Sequence, residues 1–72
     1  PVLPSARHVA DLRRLGEMGY VRGVEAKLTE IEHAEPAAAA FVAVARDRLR
    51  AFDLNGYMAL LGSRAPEETA DG

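Results

Sequence analysis

Six positions in the first half of this 72-residue chain return 33 residues later with the same character. Val9 falls on Val42, Leu12 on Ala45, Val21 on Leu54, Gly23 on Gly56, Val24 on Tyr57 and Leu28 on Leu61. Apolar residues within each half recur at helical rather than strand spacing, so each half reads as a helical hairpin. Two hairpins of related sequence must bury their apolar stripes together. The echo therefore predicts an all-α fold, a small four-helix domain built from two related helical hairpins. A chain this short buries only roughly 60% of the surface it exposes when unfolded, which leaves a thin core and little room for a catalytic cleft.

The first helix is expected over about 5–18, with Ser5 as N-cap and Val9, Leu12 and Leu15/Gly16 as its stripe. Gly19 ends it in a Schellman-type stop that folds Tyr20 back on Leu15. The second, over about 21–34, carries Val21, Val24, Leu28 and Ile31 inward and ends at Glu35-Pro36. A third helix over about 36–52 opens on an alanine run and turns Phe41, Val42, Ala45, Leu49 and Phe52 to the core. Asp53 caps a last helix over about 54–61, stopped by Gly62. Gly23 and Gly56, inside helices where glycine costs about 1 kcal/mol relative to alanine, suggest close helix approach. The helical domain thus spans 1–64, and the acidic stretch 65–72 reads as a disordered tail or linker.

The absence of Cys excludes a disulfide framework and a thiolate zinc site, and makes a reducing, cytoplasmic setting the default reading. No apolar run approaches the roughly 18 residues of a membrane span, so no membrane contact is expected of this segment. Starting on Pro1, the chain reads as a piece of something longer. Without residues 65–72 it holds nine basic against eight acidic side chains, which gives no long-range field for a polyanion. Two Tyr, two Phe and no Trp make a poor stacking platform.

His8 and His33, 25 residues apart, form no compact metal-binding unit. His33 reads as a favourable charge at a helix C-terminus and His8 as a solvated surface residue. A phosphotransfer role for His8 meets Asp11 three residues on, which would repel an incoming phosphate. Glu30/Glu32 and Glu67/Glu68 read as solvated charges, and no phosphate loop or nucleophile elbow is present. No catalytic, cofactor-binding or metal-binding residue is assigned, and the chain is not expected to be an enzyme. Arg46-Asp47-Arg48-Leu49-Arg50 could suggest a DNA-binding helix, but Asp47 dilutes it and the helix opens on alanines that cannot reach base edges. The 33-residue period also approaches that of tetratricopeptide and ankyrin arrays, so a truncated helical repeat remains a further alternative.

A partner surface is the positive expectation. Ala37, Ala40 and Val44 fall at i, i+3, i+7, and Ala43 beside them extends an apolar strip that the core does not need. The bland reading is that alanine is simply a good helix former.

The segments Gly19-Tyr20-Val21-Arg22-Gly23-Val24-Glu25-Ala26-Lys27-Leu28 and Phe52-Asp53-Leu54-Asn55-Gly56-Tyr57-Met58-Ala59-Leu60-Leu61 resemble the helical C-terminal module of some bacterial hybrid sensor histidine kinases and response-regulator proteins. The likeness runs over about residues 9–61, with Ala45 and Arg48 standing where the pattern has Leu. It implies a small cytoplasmic domain appended to a two-component signalling protein. Such a domain would serve self-association, including a homodimer, or regulate phosphotransfer through neighbouring receiver or kinase domains. Tyr20, Arg22, Asp53 and Tyr57 are its matching polar or amphipathic positions. From the residues themselves, Tyr20 and Tyr57 read as packing residues with an exposed hydroxyl.

Overall fold

In the computed structural model, which describes residues 2–62, the chain is four α-helices: α1 (Ala6–Glu17), α2 (Val21–Ala34), α3 (Ala39–Arg50) and α4 (Leu54–Gly62). A 3-10 turn, Pro36–Ala38, leads into α3. The stretch expected to be an acidic tail, 65–72, lies outside the described residues.

The 33-residue offset is a structural repeat. α1 and α3 begin and end at equivalent positions, and their buried residues coincide: His8, Val9, Leu12 and Gly16 match Phe41, Val42, Ala45 and Leu49. Val24 and Leu28 of α2 match the buried Tyr57 and Leu61 of α4. The corners match as well. Gly19 N–H donates to Gly16 O and Tyr20 N–H to Leu15 O, each at 3.0 Å. One repeat later Phe52 N–H donates to Leu49 O at 3.0 Å and Asp53 N–H to Arg48 O at 2.8 Å. Both are Schellman stops, and both turn on a left-handed residue, Gly19 at φ 71° and Phe52 at φ 57°.

Each first helix packs on both second helices. α1 touches α2 and α4, and α3 touches α4 and α2, while α1 and α3 sit across one diagonal of the bundle and α2 and α4 across the other. Exchange of the two hairpins maps this arrangement onto itself, as an approximate two-fold axis requires. Stacked repeats instead advance in one direction and leave open ends. The hairpins here close on each other.

Closure rests on a complementary exchange of sizes. A Cβ placed on Gly16 would lie 2.6 Å from Tyr57 Cε2 and 2.7 Å from Met58 Sδ, so this glycine is where α1 admits α4. Tyr57 is fully buried, and its hydroxyl donates to Leu12 O at 2.8 Å. At the equivalent positions of the other seam stand Leu49 and Val24. One seam thus pairs a large residue with an empty position, and the other uses two residues of middle size.

Several expectations are corrected. Phe52 does not face the core: it is 89% exposed, because the left-handed turn carries its side chain off the inner stripe of α3. The third helix is shorter than 36–52, since the extended Glu35 before Pro36 admits only a 3-10 turn first and α3 closes at Arg50. Gly23 and Gly56 do lie where the preceding helix comes close, but the tightest neighbour of each is local. A Cβ on Gly23 would meet the Tyr20 ring at 2.5 Å and Leu15 Cδ2 of α1 at 3.1 Å, and one on Gly56 would meet the Asp53 carboxyl and, at 3.1 Å, Arg48 Cδ of α3. Each lies under the residue that opens its own helix. Asp53 does cap α4, its Oδ1 accepting from Gly56 N–H at 2.9 Å. Ser5 holds the N-cap position of α1, but its side chain makes no cap hydrogen bond and turns to Glu35 instead.

Candidate functional site

Because α1 and α3 are equivalent, their outward faces compare position by position. On α1 the outward residues include Arg7, Asp11 and Arg14; on α3 the equivalents are Ala40, Val44 and Asp47. Asp11 Oδ2 lies 3.1 Å from Lys27 Nζ and its Oδ1 3.4 Å from Arg14. The Lys27 hydrogen bond, ahead of the opposing effect of desolvation, holds the Asp11 carboxyl below its ordinary range. Lys27 also reaches Glu30 at 3.5 Å. This face is stitched by charge to its own neighbour helix.

The α3 face is not. Ala37, Ala40, Ala43 and Val44 are all exposed, as the strip reading expects. Arg46 leaves the strip to bind Glu32 at 3.1 Å and the Thr29 hydroxyl at 2.8 Å, which anchors α3 to α2. Beyond Val44 the exposed charged positions are Asp47, Arg48 and Arg50, with Asp47 and Arg50 4.0 Å apart. Exposed Ala51 and Phe52 follow at the corner where α3 ends.

The other residues expected at an interface are divided by the fold. Tyr20 and Arg22 are exposed at the α1–α2 corner, the end of the bundle away from Ala37, with the Tyr20 ring lying over Gly23. Tyr57 cannot take part, and the expectation of an exposed hydroxyl is corrected: burial pushes its phenol up, and the group is enclosed between α1 and α4. Phe52 is the residue the sequence reading missed. Its signal was present, because the same offset sets it on Gly19, the helix stop.

His8 is likewise not a surface residue. It is 5% exposed, at the position Phe41 fills in the second hairpin. Its Nε2 faces Glu35 Oε2 at 3.4 Å, and its Nδ1 is buried with no hydrogen-bond partner among the described residues. Glu35 accepts from Ser5 Oγ at 2.8 Å and Ser5 N–H at 2.9 Å, and these two bonds, Oγ first, lower its pKa. The cluster latches the start of α1 to the connection between hairpins. His33 is exposed in the last turn of α2. No group of three or more His, Cys, Asp or Glu that could hold a metal ion occurs among the described residues. Among them, no helix is long and apolar enough to cross a membrane.

Fold and surface together define an all-α bundle of two hairpins with matching buried positions, the outer face of α1 charged and that of α3 carrying an exposed alanine–valine strip. No family model, curated protein or solved structure matches the chain.

Proposed function

We propose that this domain is a non-catalytic protein-interaction or regulatory module of a bacterial two-component signalling protein, working in the cytoplasm beside receiver or kinase domains. The observation that carries the interaction reading is the divergence of two equivalent helices. Their buried positions match, while the outward Arg7 and Asp11 of α1, the latter paired with Lys27 and Arg14, give way to the exposed Ala40 and Val44 on α3. Exposed apolar faces of this kind mark contact with another protein. The two-component context comes from the motifs around Gly19–Leu28 and Phe52–Leu61.

Burial of His8 against Glu35 weighs against phosphoryl transfer, which needs an accessible imidazole nitrogen. Engagement of Arg46 by Glu32 and Thr29 weighs against a DNA-reading face on α3. Titration of the isotope-labelled domain with a receiver domain and with a kinase core, followed by amide NMR, tests the proposal. Shifts at Ala37, Ala40, Ala43 and Val44 are expected. Spectra unmoved along α3, or an acid-labile phosphoryl group on His8 after incubation with a phosphorylated receiver, would overturn it.

A further inference from the structure

We infer that the outer face of α3 is a seam between two copies of this chain, packed α3 against α3 in antiparallel sense about a two-fold axis, with Asp47 of each opposite Arg50 of the other. The inference rests on the reading of α3 as the interaction face and names its partner.

The charge pattern selects the partner and the direction. The Asp47 and Arg50 side chains are 77% and 72% exposed, and their 4.0 Å separation is the outer limit of an ion pair, so little holds them to each other. A contact between identical faces requires the face to be its own complement. A two-fold axis midway between these residues meets that requirement twice, once for each Asp–Arg pair. Parallel pairing in register would set Asp47 against Asp47, which like-charge repulsion disfavours.

The same mirror covers the uncovered apolar groups. It brings Phe52, the most exposed of the large hydrophobic residues described, to the level of position 45 of the other copy, about 1.5 Å along the helix from the exposed Val44, and it does so on both sides of the axis. Ala43 beside Val44 leaves space for the ring. The face of α1 could not serve, because Asp11 is already committed to Lys27 and Arg14.

The seam is short. From Ala43 to Phe52 the helix advances about 14 Å at roughly 1.5 Å per residue, less than an interface of about 800 Å² per partner would need. Association is therefore weak and concentration-dependent. Tethering two copies in one assembly, where effective concentration reaches the mM range, would complete it.

Sedimentation equilibrium of the chain from about 10 μM to about 1 mM, the range in which so small an interface associates, tests the seam. Dimer is expected at the upper end. Asp47→Arg and Arg50→Asp should each weaken it about 10-fold or more, and the double reversal should recover it to within about 3-fold. Phe52→Gly should weaken dimerisation about 10-fold without lowering the melting temperature, because glycine suits that turn. A monomer at every concentration, or a double reversal that fails to recover, overturns the seam. If that monomer still binds a receiver or kinase domain through α3, the interaction reading stands; if it binds neither, both fall.

Discussion

The two hairpins solve one folding problem with different side chains. Where the solution is buried they agree in position and compensate in size: Gly16 with Tyr57 in one seam, Leu49 with Val24 at the equivalent places of the other. Where it faces out they part, α1 carrying Arg7, Asp11 and Arg14 against Ala40, Val44 and Asp47 on α3. Folding requires only the first kind of agreement. The second kind of difference is left for function, and the repeat supplies its own control for telling them apart.

The size exchange also explains why unlike hairpins pair. Two copies of the first hairpin would set Gly16 against Val24 and leave a void; two copies of the second would set Leu49 against Tyr57 and crowd the seam. The largest effects should follow from disturbing this match. Gly16→Leu alone drives a side chain into the Tyr57 ring and Met58 sulfur, and should cost about 3 kcal/mol or prevent folding. Tyr57→Val alone leaves a cavity and an unpaired Leu12 contact, at about 3 kcal/mol. The double variant copies the other seam and should recover at least about 1 kcal/mol relative to the sum of the singles in a chemical denaturation cycle. Additive losses would break the comparison.

Next in size are the two corners, which should respond with opposite sign. Gly19→Ala places a Cβ on a left-handed residue and should cost about 1 kcal/mol, whereas Phe52→Gly relieves that strain and should hold or raise stability by up to about 1 kcal/mol, read from thermal melts. Of the same order is His8→Phe, which copies Phe41 and removes an orphaned buried nitrogen. It should raise stability by about 1 kcal/mol, or a melting-temperature gain of roughly 4–8 °C for a domain of this size.

The smallest effect concerns Glu35, whose hydrogen bonds from Ser5 hold its pKa below the ordinary 4.5. A carboxyl depressed in the folded state contributes stability that is present above its unfolded pKa and is lost as pH falls through the folded value. Glu35→Gln should therefore lower the melting temperature slightly near neutral pH, where the carboxylate contributes, and leave the most acidic region nearly unchanged, which flattens the acid limb of the profile.

What the sequence showed in advance was whatever depends on spacing. The apolar periods placed α2 at 21–34 and the core pairs Val9/Val42 and Leu28/Leu61, and Gly19 and Asp53 marked a stop and a cap by local backbone chemistry alone. What stayed hidden depends on contacts between distant residues. Phe52 fits the inward stripe of α3 by period, and only recognition of its equivalence to Gly19 turns it outward. His8 is polar and reads as surface until it is set on Phe41. Gly16 was visible as part of a stripe, but the ring it accommodates stands 41 residues away. The strip on α3 was legible as exposure, since a period assigns what the core does not use. Its meaning came only from the contrast with α1.

The central claim, that shared buried positions hold the fold while the divergent outer face of α3 holds the function, is tested most directly by grafting the outward residues of α1 onto α3. The variant Ala40→Arg/Val44→Asp should melt within about 2 °C of the parent, because both positions are solvent-facing. Sedimentation equilibrium on that folded variant is the deciding measurement. The account predicts a monomer at concentrations where the parent associates; association equal to that of the parent would contradict it.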